Sequence, residues 1–170
     1  FSCKNLPAQS NKKGPKGFCI KKTYWKTCVN SLLVTNIMSV NSNNNQIQKI
    51  FDLYNTGQIK EAEKKAIKLN NNYPNSFFLL NILGSIFTNQ KKFQKAIVYF
   101  KKAIKINPTT VDGYYNLGIA FRGLGDLKKA LSCYDQALKI KPGYAEAYNN
   151  KGNILKELGQ FDRALSCYDQ

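Results

Sequence analysis

The sequence predicts an all-α solenoid of antiparallel helix pairs, and three observations point to it. Pro74, Pro108 and Pro142 stand 34 residues apart. Ala62, Ala96, Ala130 and Ala164 keep the same interval, as do Gly84, Gly118 and Gly152. Between these markers apolar residues recur at three and four, the spacing that puts them on one face of a helix. A unit of this size cannot bury its apolar face alone, so neighbouring copies must stack into a continuous core.

The chain opens on a stretch unlike the rest. Residues 1 to 41 carry seven Lys and no acidic residue, and Pro7, Gly14, Pro15 and Gly17 interrupt any periodicity. Such composition predicts a disordered basic segment. The apolar run from Cys28 to Val40 includes Asn30, Ser31, Thr35 and Asn36, which makes it too short and too polar to span a membrane. The first residue is Phe1, and Met38 is the only methionine, a few residues before the first recognisable helix at about Asn45. Translation from Met38 would leave residues 1 to 37 as upstream sequence. A flexible basic tail is the other reading, and the intact mass of the native protein separates the two.

From residue 43 the markers define units at 43–76, 77–110, 111–144 and 145–170, which together form one array over 43–170. The third unit shows the layout most clearly. Tyr114, Leu117 and Phe121, with Ala120 and Leu124 beside them, form a buried stripe on a first helix. Gly123 to Asp126 break that helix, and Asp126 can cap the next. The second helix carries Leu127, Ala130, Leu131, Tyr134, Ala137, Leu138 and Ile140 before Pro142 ends it. The first unit departs from the pattern, with Ile50 where glycine is expected and Ala66 where an aromatic is expected, and reads as a degenerate end repeat. The fourth stops in mid-helix at Gln170, so its apolar Leu165 and Tyr168 call for a further unit to cover them. Left uncovered, that face is expected to drive end-to-end association, visible in light scattering as a concentration-dependent mass.

A glycine inside a helix costs about 1 kcal/mol relative to alanine, so Gly84, Gly118 and Gly152 require a packing reason. The expectation is close approach of the two helices of a pair, with Ala96, Ala130 and Ala164 facing the glycines and Phe87, Phe100, Phe121, Tyr134 and Tyr168 filling the remaining volume. Ala130→Leu would overfill that contact, at about 1 to 3 kcal/mol, and should lower the melting temperature.

Composition excludes more than it selects. The chain holds 26 Lys plus Arg against 10 Asp plus Glu, and no His. The excess is divided between the first 41 residues and the array. The five cysteines, at 3, 19, 28, 133 and 167, include no pair at zinc-site spacing. Free thiols in a reducing, cytoplasmic compartment are expected, and no metal or cofactor. No nucleophile motif, phosphate-binding loop or carboxylate pair stands out, so no enzymatic activity is expected of the residues present.

An aromatic, Leu-Gly, an aromatic, Ala, an aromatic and Pro recurring every 34 residues resemble the tetratricopeptide repeat. The resemblance covers residues 43 to 170 and implies a right-handed superhelix, its concave groove lined by the first helix of each unit. The groove candidates are then Asn81 and Ser85, Tyr115 and Asn116, and Asn149, Asn150 and Asn153, an amide-rich and nearly neutral set suited to the backbone of an extended peptide. Asn116 and Asn150 occupy equivalent places and resemble the asparagine ladder in the repeat arm of O-linked N-acetylglucosamine transferases. The words Ala-Tyr-Asn-Asn, Gly-Asn and Ala-Leu-Ser-Cys-Tyr are similar to that subfamily too.

The function this implies is a protein-interaction scaffold that holds a protein or peptide ligand in the groove. The alternative is the substrate-recruiting arm of a larger transferase, its catalytic part beyond Gln170. A clamp for a C-terminal carboxylate fits poorly, because the first helices offer Asp112 and Glu146 near the expected places, and Arg122 and Lys156 only late. A lesser reading is nucleic-acid binding through the cluster from Lys91 to Lys105, which lies on a second helix, away from the groove. No membrane partner is expected.

Overall fold

The computed structural model describes residues 40–170, with side chains from residue 45 onward. The basic segment 1–41 and the run around Met38 therefore lie almost entirely outside the described residues. Contacts divide the chain into two units, residues 1–46 and residues 47–170. Of the first, only the beginning of a helix is described.

Eight helices are found among the described residues: α1 (Val40–Asn55), α2 (Ile59–Asn72), α3 (Phe77–Asn89), α4 (Phe93–Ile106), α5 (Val111–Gly123), α6 (Leu127–Ile140), α7 (Ala145–Glu157) and α8 (Phe161–Tyr168). None is long and apolar enough to cross a membrane. Three of their starts are capped by a side chain. Ser76 accepts from the backbone N–H of Leu79 at 3.5 Å, Thr110 from that of Gly113 at 3.2 Å, and Asp126 from that of Lys129 at 3.1 Å. Each satisfies an amide that the first turn leaves unpaired. The expected capping role of Asp126 is thus observed.

The turn inside each pair is the same four times over. The backbone N–H groups of Gln58, Lys92, Asp126 and Gln160 reach back to the carbonyls of Leu53, Phe87, Phe121 and Leu155, at 2.8 to 2.9 Å. That bond wraps the end of each first helix and requires a left-handed residue just before the donor. Gly57, Gly125 and Gly159 fill the place with φ of 81°, 85° and 73°, and Lys91 fills it in the second repeat with φ of 59°. A side chain in the left-handed region costs about 1 to 2 kcal/mol. Lys91→Gly is therefore expected to raise stability by about 1 kcal/mol, read as a higher denaturation midpoint at an unchanged slope.

The first helices α3, α5 and α7 each pack on their own second helix and on the second helix of the preceding repeat; α5 also touches α3. First helices are thus enclosed on several sides, and α3 buries every residue from Leu79 to Phe87 except Asn81. The second helices α4 and α6 are amphipathic, burying Ala96, Ile97, Phe100 and Ala103 in one and Ala130, Cys133, Tyr134, Ala137 and Leu138 in the other.

The helical glycines are explained differently from expectation. Ala96, Ala130 and Ala164 are buried, but the atoms nearest a Cβ added to each glycine belong to aromatic rings. It would lie 2.5 Å from Phe100 at Gly84, 2.6 Å from Tyr134 at Gly118 and 2.6 Å from Tyr168 at Gly152. The ring of the second helix lies against the bare backbone of the first. The buried stripe is also shifted, because Leu124, at the end of α5, is 42% exposed, whereas Tyr115 is buried.

Candidate functional site

The predicted groove residues lie on the first helices α3, α5 and α7, but not all as exposed side chains. Ser85 is fully buried, and its hydroxyl donates to the carbonyl of Asn81 at 2.9 Å. Asn81, half-buried, donates from Nδ2 to the carbonyl of Phe77 at 2.9 Å, and its Oδ1 is buried without a partner. Tyr115 and Asn116 are 7% and 6% exposed. The expectation that Ser85, Tyr115 and Asn116 lie outside the core is corrected. The reason is the packing of α5 against both α4 and α3, which covers residues on the inner side of the helix.

Tyr115 joins two repeats. Its ring lies 5.9 Å from that of Tyr134 within its own pair and 5.1 Å from that of Tyr144 at the start of the next. Its hydroxyl accepts a 2.9 Å hydrogen bond from Asn150 Nδ2. Asn150 and Asn116, equivalent by repeat, therefore differ in use: Asn150 reaches back to the preceding repeat. Asn149 is exposed and accepts from Asn153 Nδ2 at 3.5 Å, while Asn153 Oδ1 accepts from the Tyr168 hydroxyl at 2.8 Å.

Tyr144 was missed in the sequence. It is 8% exposed, and its hydroxyl donates to Asp112 Oδ1 at 3.4 Å. The available signal was its position, since Ser76 and Thr110 stand 68 and 34 residues earlier as helix caps and Tyr144 breaks that series. Burial pushes the Asp112 carboxyl above its ordinary range, with the Tyr144 hydrogen bond and Lys141 opposing the shift. Burial, then the Asp112 charge, pushes Tyr144 far above the usual tyrosine range. Both shifts favour the protonated forms, so this corner resists gaining negative charge.

Two of the three bases on the helices α3, α5 and α7 are engaged. Arg122 meets Glu157 at 3.7 Å, and Lys151 meets Asp135 of α6 at 2.7 Å. Among the described residues no group of acidic, Cys or His side chains could hold a metal ion. Cys133 and Cys167 are free and buried, and burial raises the Cys133 thiol to about 11, so its reactive thiolate is suppressed. At the end of the array Phe161 and Leu165 are 66% and 62% exposed.

The fold and this face define a helical-repeat domain in which successive helix pairs share one core. Tetratricopeptide-repeat models match residues 84–125, 111–144 and 133–166, so this segment carries tetratricopeptide repeats. No curated protein matches the chain. Among solved structures, MamA (residues 41 to the end) from Desulfovibrio magneticus RS-1 is similar at TM-score 0.71 and 19% identity, over 85% of this chain and 81% of that one. The first tetratricopeptide domain of Spaghetti (RPAP3) bound to an HSP90 peptide gives 0.65 and 24%, over 69% and 93%. A Thermobaculum terrenum O-GlcNAc transferase mutant gives 0.66 and 16%, over 71% of this chain and 23% of that one. At these identities the likeness is one of fold.

Proposed function

We propose that the protein is an interaction scaffold whose first-helix face holds an extended peptide by its backbone. One observation supports this reading: the first helices α3, α5 and α7 carry Asn81, Asn116, Asn149, Asn150 and Asn153, of which Asn149 is exposed, while their three bases are balanced by three acids. Neutral amides offer donors and acceptors to peptide groups without selecting a charged side chain. The engagement of Arg122 and Lys151 with acidic residues leaves little for a terminal carboxylate. The peptide seen on the RPAP3 domain supports the ligand class and no more.

The test is an array of extended peptides of varied side chains, probed with the wild-type chain, Asn149→Ala, and the double variant Asn149→Ala with Asn153→Ala. Backbone recognition predicts binding that varies little with side chain and falls by about three- to tenfold for each amide removed. No binding to any peptide, or binding indifferent to these substitutions, would refute it. The resemblance of the third and fourth repeats to the asparagine-ladder arm of O-linked N-acetylglucosamine transferases supports a second reading, in which the groove recruits substrates for a transferase.

A further inference from the structure

The positive charge is not spread evenly over the array. The second helices α2, α4 and α6 carry eleven Lys against three acidic residues, and α4 has four Lys and no acid. The first helices α3, α5 and α7 carry three bases and three acids. The enclosed first helices offer few exposed positions for lysine, so the net charge gathers on the second-helix side.

On that side the bases form rows. Lys95, Lys129 and Arg163 are equivalent by repeat, as are Lys68 with Lys102 and Lys105 with Lys139. The second helices recur once per repeat, so each row sets positive charges at intervals along the array. Of these residues Lys129 is paired, with Asp126, whereas Lys95, Lys102, Lys105 and Lys139 have no acidic partner among the described residues. Lys139 and Arg163 of these rows also line a cleft of about 650 Å³ between α6, α7 and the start of α8. Lys128, Lys139, Lys151 and Arg163 line it, with Asp135 as the sole acid and the ring of Tyr148 in its wall.

We infer that this second-helix side binds single-stranded nucleic acid, the lysine rows holding phosphates and the cleft taking one nucleotide beside Tyr148. Among polyanions the features favour a strand of phosphates and bases over a polypeptide; a bilayer is separated by the vesicle arm of the experiment, since Ile67, Val98, Ile106 and Ile140 stand exposed among these lysines. An acidic polypeptide would use the charges and leave an aromatic-walled cleft without a role. Evenly spaced phosphates and a flat base use both. The lysine rows lie on different helices from the peptide groove, whereas the cleft shares Tyr148 and Lys151 of α7 with it, so the test substitutes only second-helix lysines and either assignment can fail alone.

The experiment titrates the full chain with a labelled oligouridylate of about 20 nucleotides over a range of salt. Binding should weaken steeply with salt, and the logarithmic slope should fall by about 0.7 for each phosphate that a variant no longer neutralises. The triple variant Lys102→Ala, Lys105→Ala, Lys139→Ala changes exposed residues and should keep its helical circular dichroism. It is expected to reduce the slope by about 2 and low-salt affinity by about tenfold or more. Absence of binding at low salt overturns the inference. So does an unchanged slope in the triple variant, which would assign binding to the lysines before residue 42. Equal or tighter binding to polyglutamate, or to phosphatidylserine vesicles, overturns it in favour of that partner.

Discussion

Phe100→Ala is expected to destabilise the array by about 3 to 5 kcal/mol, the usual cost of removing a buried aromatic ring, and Gly84→Ile in the same chain to recover a large part of that loss. Phe100 is fully buried, with its ring against the bare backbone of Gly84, 2.5 Å from where a Cβ would stand. Removing the ring leaves a void between α3 and α4, and enlarging residue 84 fills it from the other helix. The first repeat already makes this exchange. Ile50 and Ala66, equivalent to Gly84 and Phe100, are 1% and 0% exposed, so the large side chain sits on the first helix and the small one on the second. Gly84→Ile alone should be destabilising, because the ring cannot yield that far. Denaturant unfolding of the two single variants and the double gives the coupling directly. A double variant no more stable than Phe100→Ala would show that the two positions do not share one volume.

That exchange also shows why parts of the molecule are legible in the sequence and others are not. Helix pairs, turns and caps depend on neighbours within a few residues, and Pro108, Gly125 and Asp126 announce them through fixed φ, a left-handed φ and a side-chain acceptor. Ile50 and Ala66 each read as a departure from the repeat, because pattern matching scores positions singly whereas packing conserves their summed volume. The groove is harder still. Adjacent residues on a helix point about 100° apart, so a single apolar stripe should contain Tyr114 or Tyr115 but not both. The helix α5 is covered by α6, α4 and α3, which widens its buried face until it includes Tyr115 and Asn116. Coverage by another repeat is a tertiary fact that the local period does not encode. Charge segregation lies between these cases, since Lys counts per helix can be read directly once the helices are assigned to two sides.

The second large effect is expected at Tyr115. Tyr115→Ala should cost about 3 to 5 kcal/mol and, beyond the magnitude, should loosen the junction between the third and fourth repeats. Its ring meets Tyr134 within the pair and Tyr144 across the junction, and its hydroxyl holds Asn150 of α7. In a stack where each repeat meets only its neighbours, weakening one junction lets the terminal repeat open separately. Hydrogen exchange should then show amides of α7 and α8 losing protection ahead of those in α3 and α4, and unfolding should cease to be a single transition. Tyr115→Phe separates structure from recognition. It keeps the ring, so stability should fall by only about 1 kcal/mol, yet it removes the acceptor and frees the Asn150 amide. If that amide serves the peptide groove, Tyr115→Phe should alter peptide affinity while leaving the repeat junction closed. If Asn150 is only a strut between repeats, the same substitution should change stability slightly and peptide affinity not at all. Uniform loss of protection in Tyr115→Ala would show instead that the array unfolds as one block.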